Sequence, residues 1–111
     1  MKNIKKMKEI EFRRFVIPHI EGDWKTKKVK INGKEISIND ENNIKFSWGY
    51  FNKGCSLLSF HILESLFGEV TAIKYRTNFV DVFLSKLEKS NFSFCIDVSS
   101  MIEEIDRNNR R

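Results

Sequence analysis

The dipeptide Asn32-Gly33 most constrains how this chain of 111 residues folds. It separates two short stretches in which apolar and polar residues alternate, and Asn-Gly provides both positive-φ positions of a type I′ turn. A two-residue loop pairs residue 31 with 34, 29 with 36 and 27 with 38. This register predicts a β-hairpin with one apolar face, made by Val29, Ile31, Ile36 and Ile38.

Further strands are predicted where short apolar stretches alternate with polar residues. We expect strands at 12–17, which Pro18 ends, at 44–48 and at 92–96. The stretch 19–23 is predicted to be a loop. An N-terminal strand, the hairpin and two further short strands would form a small antiparallel sheet.

Helices are predicted mainly in the second half of the chain. The stretch 56–67 is apolar nearly all round and is closed by a glycine, and 70–89 has apolar residues at three- and four-residue steps. A last helix reaches about residue 107, N-capped by Asp97 or by Ser99. Strands and helices in separate runs predict an α+β fold, a small sheet packed on two or three helices.

Length and composition favour one domain, 11–107, with a basic tail at each end. Five glycines and one proline leave little room for a linker. Residues 1–10 fit either one helical turn or a frayed tail, and 108–111 are a short basic tail.

The chain has neither an apolar run that would span a bilayer nor a signal peptide, so we expect a cytoplasmic protein without a membrane partner.

The two cysteines and two histidines are too widely spaced for a familiar metal or catalytic site. Among His19, Cys55, His61 and Cys95, no two lie within five residues of each other, unlike the close ligand pairs of zinc sites. On a helix, Cys55 and His61 would lie about 120° apart, outside hydrogen-bond reach. We therefore expect no metal, no cofactor and no catalytic residues, two buried reduced thiols, and a protein that is not an enzyme.

The positive charge is concentrated in the first third of the chain. Residues 1–34 hold eleven Lys or Arg and four acids, whereas 35–111 hold nine bases and eleven acids, which together give the net charge of +5. Lysines beside a tryptophan suit a surface that follows a phosphate backbone while a base stacks on the indole. The alternative is that these lysines only protect a strand from aggregation. The predicted binding residues are Trp24, Lys25, Lys27, Lys28, Lys30, Arg13, Arg14, Phe51 and Lys53.

A resemblance is carried by the segment Phe46-Ser47-Trp48-Gly49-Tyr50. It resembles an uncharacterised family of small bacterial, phage and plasmid proteins that have Phe-x-Trp-Gly-Tyr followed by Gly-Gly-Ser-Gly-Pro and a Leu-Ala-rich helix. This chain departs from the family at Phe51-Asn52-Lys53-Gly54-Cys55, where a Phe and a Lys change the shape and charge of the turn. The other positions that fall on the pattern are Gly54, Leu58, Ile62, Leu63, Gly68, Ala72, Tyr75, Phe79, Leu87 and the stretch 94–105.

The resemblance implies a mobile genetic element, and this context favours a protein that acts by surface contact. The leading hypothesis is a stoichiometric inhibitor or modulator of a host defence complex, similar to an anti-CRISPR protein, whose partner is a host protein or ribonucleoprotein. The alternative is a basic nucleic-acid-binding accessory protein that uses the ridge from Trp24 to Lys30. A homodimer through the free edge of the strand at 12–17 or 92–96 is compatible with either hypothesis.

Overall fold

A computed structural model describes residues 17–36 and 44–109. Within these ranges the strands form one four-stranded antiparallel sheet in the order β3-β2-β1-β4. The strands are β1 (His19–Gly22), β2 (Val29–Ile31), β3 (Lys34–Glu35) and β4 (Phe92–Cys95). The helices are α1 (Lys53–Phe67), α2 (Glu69–Val82), a 3₁₀ helix (Leu84–Lys86) and α3 (Val98–Asn109). This architecture confirms the predicted α+β fold.

The hairpin of β2 and β3 has the predicted register. Residue 31 pairs with residue 34. Asn32 and Gly33 have φ of 52° and 81°, the left-handed values that a type I′ turn requires. Val29 and Ile31 are buried, so the predicted apolar face points into the core. The fourth residue assigned to this face, Ile38, lies outside the described residues.

The predicted positions of the first strand and the following loop are wrong for the described residues. Ile17 is not part of a strand, and residues 12–16 lie outside the described ranges. β1 instead occupies most of the stretch 19–23 that was expected to be a loop, and it pairs with β2 on one side and β4 on the other. The prediction failed because the alternation in β1 spans only four residues and one inward position is a glycine.

The inward glycine of β1 is required by the packing of two aromatic rings. Ile20 and Gly22 are the buried residues of this strand. A Cβ on Gly22 would collide with the ring of Phe92 in β4 and would lie 2.9 Å from the indole of Trp48. The missing side chain therefore makes the space that these rings fill.

The predicted strand at 44–48 is not formed. Phe46, Ser47 and Trp48 are buried in succession, whereas a strand with one solvated face would bury alternate residues. The next residue, Gly49, donates its backbone N–H to the carbonyl of Leu84 at 2.8 Å, so this segment is bonded to the 3₁₀ helix rather than to the sheet.

The helices begin and end at capping residues. Asn52 caps α1 by accepting the N–H of Cys55 at 2.8 Å, so α1 starts three residues before the predicted helix. α2 ends at Val82, seven residues early, because Phe83 leaves the helical conformation with φ −133° and ψ −66°. Of the two predicted N-caps of α3, Asp97 is the one observed, since its side chain accepts the N–H of Ser100 at 3.0 Å.

The helices cover one face of the sheet. Buried side chains of the inner sheet face and of α1, α2 and α3 form one apolar core, and the hydroxyl of Tyr75 joins α2 to α3 by donating to Asp106 at 2.8 Å. The other sheet face is largely exposed, with Lys30 and Ser93 pointing to solvent. Among the described residues, no helix is both long and apolar enough to cross a membrane.

We expect Gly22→Ala to destabilise the protein by about 1–3 kcal/mol, because the added methyl group would force the rings around it to move. The measurement is the free energy of unfolding in urea. Lys30→Ala, at an exposed position of the neighbouring strand, is the control and should change this free energy by less than about 0.5 kcal/mol. Equal effects of the two variants would contradict this account of the packing.

Candidate functional site

The loop between β1 and β2 carries most of the predicted binding residues and has a defined conformation. The carboxylate of Asp23 accepts the backbone N–H of Lys25 at 2.9 Å and of Thr26 at 3.1 Å. The loop is closed by two backbone hydrogen bonds, from Lys27 to the Asp23 carbonyl at 2.7 Å and from Asp23 to the Lys28 carbonyl at 2.9 Å. Lys27 has a φ of 62°, which turns the chain back toward the sheet. The lysines are therefore held on an ordered turn.

Trp24 anchors this loop to the core. Its backbone N–H donates to the side chain of Asn91 at 2.7 Å, and its ring lies 5.6 Å from that of Trp48 in an edge contact. The Nζ atom of Lys27 lies over the Trp24 ring, 2.8 Å from the centroid. Because one side of the indole is already covered by a lysine, Trp24 is a poor platform for the base that sequence analysis placed there.

The environment of Lys27 also affects its pKa. Partial burial lowers the pKa of Lys27 from its ordinary value, and the nearby Tyr50 hydroxyl opposes part of this shift. The side chain of Lys27 is partly exposed, and it joins the loop to the rings of Trp24 and Trp48.

Lysines from three separate segments meet beside this loop. Lys27 and Lys45 line two neighbouring cavities, of about 300 Å³ and 490 Å³. Lys28 adds to the smaller cavity and Lys53, the first residue of α1, adds to the larger one. We call these four residues the lysine surface. Sequence analysis missed Lys45 because it was assigned to the solvated face of a strand and not related to the distant lysines.

Two exposed aromatic residues adjoin the lysine surface. Tyr50 is 41% exposed and lines the larger cavity, and the next residue, Phe51, is 56% exposed. The Nζ atom of Lys89 lies 5.0 Å from the Tyr50 ring. The loop before α1 therefore presents Phe51 to solvent beside Lys53. This arrangement brings together the two groups of binding residues that the sequence predicted separately.

The other predicted binding residues lie elsewhere or outside the described residues. Lys25 is exposed at the tip of the loop. Lys30 lies on the open face of the sheet, in a cavity of about 550 Å³ that it shares with Lys28 and three acids. The acids are Glu21, Asp23 and Glu35. Arg13 and Arg14 fall outside the described residues.

The two cysteines differ in exposure. Cys55 is buried at the start of α1, as predicted, but the prediction of a buried thiol is wrong for Cys95, which is exposed on β4. Its position on the outer face of an edge strand explains the difference.

The ring of His61 packs against Phe46 and Phe60, at 5.6 Å from each. Within 17–36 and 44–109, no group of three or more His, Cys, Asp or Glu is arranged to hold a metal ion.

Comparisons with known protein families, with curated proteins and with solved structures found no match to this chain. The function is therefore argued from the chemistry of the lysine surface and of the residues around it.

We expect the stability contributed by Cys55 to decrease above about pH 9. Burial raises the pKa of the Cys55 thiol from 9.0 to about 11, so the unfolded chain loses this proton first and unfolding becomes more favourable between these values. The free-energy difference between wild type and Cys55→Ala should narrow by about 2 kcal/mol from neutral pH to about pH 11. Parallel pH profiles for the two proteins would contradict the assignment.

Proposed function

We propose that the protein is a small, non-enzymatic binding protein that contacts the phosphate backbone of nucleic acid through the lysine surface. The observation that carries the proposal is that Lys27, Lys45 and Lys53, distant in sequence, line one cavity. Every lysine that neutralises a phosphate releases counterions, which favours binding without regard to sequence.

The aromatic residues beside the lysine surface favour a single strand. Tyr50 and Phe51 are exposed next to Lys53, where unpaired bases would stack while the lysines follow the phosphates. A duplex keeps its bases inside and would leave these rings in water. The ligand class proposed is therefore single-stranded nucleic acid bound by charge and stacking.

The first test replaces two lysines of the surface. We expect Lys45→Gln with Lys53→Gln to weaken binding to a single-stranded oligonucleotide and to reduce the slope of log Kd against log salt by about 1.4, since each lost phosphate contact removes about 0.7. Fluorescence anisotropy across a salt series measures both quantities.

The matched control carries Lys34→Gln with Lys86→Gln, which removes the same charge at exposed positions that line neither cavity of the lysine surface. Its slope should equal that of the wild type. Wild-type binding that does not depend on salt, or equal losses in the two variants, would refute the proposal.

A second candidate function, modulation of a host defence complex through protein contacts, is favoured by an exposed apolar pair on α2. Val70 and Ile73 are 82% and 65% exposed and lie three residues apart, so they form one patch on the helix. Exposed apolar side chains grouped in this way suit contact with another protein. The resemblance to small phage and plasmid proteins supports an anti-CRISPR-like role for such a contact.

The second candidate function predicts that the wild-type protein captures a partner protein from host lysate treated with nuclease. Val70→Asp with Ile73→Asp should lose this partner, because two charges would be buried at the interface. Ser65→Asp with Asn108→Asp adds the same charge at exposed positions of the other two α-helices and should retain the partner. If no protein is captured after nuclease treatment, or if both variants behave alike, the patch is not a host-protein interface.

A further inference from the structure

The larger cavity of the lysine surface differs in charge from its neighbours. It is lined by Lys27, Lys45 and Lys53 and by no acidic residue among those described. Each of the other two described cavities includes Glu35. This cavity therefore has an unbalanced positive charge, which attracts an anion.

The same cavity lies at the N-terminal end of α1, a helix of 15 residues. Asn52 caps this end by accepting the N–H of Cys55, whereas the N–H groups of Lys53 and Gly54 precede the first bonded turn and have no partner within the helix. The first turn contains no acid and begins with a lysine, which is unfavourable at the positive end of the helix dipole. A bound anion would reverse this effect.

Ser47 provides an independent observation that points to a ligand. The residue lines this cavity and is only 6% exposed, and its hydroxyl has no hydrogen-bond partner among the described residues. Buried hydroxyls are normally bonded, so an unpaired one that lines a positively charged cavity points to a ligand with an acceptor atom. The hydroxyl oxygen itself is enclosed, so a change of the Ser47 side-chain rotamer brings it to an acceptor in the cavity.

Gly54 explains how Ser47 comes to lie at the helix end. A Cβ on Gly54 would collide with the carbonyl oxygen of Lys45 and would lie 3.0 Å from the Cβ of Ser47. Because residue 54 is glycine, the segment that carries both residues can lie directly against the first turn of α1.

We infer that this cavity binds a phosphate group. The N–H groups of Lys53 and Gly54 and the hydroxyl of Ser47 donate to its oxygens, while Lys27 and Lys45 balance its charge. The inference rests on the proposed function in one respect only, the identity of the molecule that carries the phosphate group. A free phosphate ion and the terminal phosphate of a nucleic-acid strand both present a tetrahedral group with three terminal oxygens and, in the doubly ionised form, two negative charges.

The experiment is a titration of the ¹⁵N-labelled protein with inorganic phosphate, followed by NMR. We expect saturable shifts of the amides of Lys53 and Gly54. Ser47→Ala should weaken phosphate binding about fivefold, the ratio typical of one lost hydrogen bond, and should leave thermal stability unchanged or higher because it removes an unpaired buried hydroxyl. Lys34→Gln is the control and should bind phosphate as the wild type does.

A second arm uses one oligonucleotide with and without a 5′-phosphate. Stronger binding of the phosphorylated strand, with the same two amides shifted, supports the inference and identifies the strand end as the carrier. Phosphate binding without any oligonucleotide binding supports the inference and removes the proposed function. An oligonucleotide that binds while phosphate moves neither amide overturns the inference and leaves the proposed function intact.

Discussion

The buried indole of Trp48 is the contact on which the rest of the structure depends. It is fully buried, and its Nε1–H donates to the carbonyl of Ser90 at 2.9 Å. Its ring meets the ring of Phe92 edge-on at 4.9 Å, meets Trp24 at 5.6 Å, and fills the space left open by Gly22. This one side chain therefore joins the segment before α1 to the central strand β1, to the edge strand β4 and to the loop that bears the lysines.

This central contact also shows why only part of the fold could be predicted. The hairpin turn is determined by Asn32 and Gly33 themselves, and the cap at Asp97 by residues one turn away, so local pattern was sufficient for both. β1 depends instead on distant rings that require Gly22 to lack a side chain. The alternation of apolar and polar residues over a strand of only four residues does not carry that information.

The candidate site was predictable to a similar extent. The lysines of the loop at 23–28 were identified from their density in the sequence, because clustered charge is a local property. The contribution of Lys45 and the burial of Ser47 depend on the path of the chain before α1, which was assigned to a strand. The covered indole of Trp24 could not be foreseen either, because it depends on the conformation of the loop, in which Lys27 has a positive φ and places its Nζ atom over the ring.

The irregular segment before α1 is what gives the site its chemistry. In a strand, Lys45 and Ser47 would share one solvated face, and the serine hydroxyl would be satisfied by water. In the observed conformation Lys45 stays exposed while Ser47 is buried against the first turn of α1, next to backbone N–H groups that have no helical partner. Without an anion this arrangement leaves a hydroxyl unpaired and three lysines around the positive end of a helix, both of which oppose folding. An arrangement unfavourable to the free protein and complementary to phosphate is typical of a binding site, where stability is exchanged for affinity.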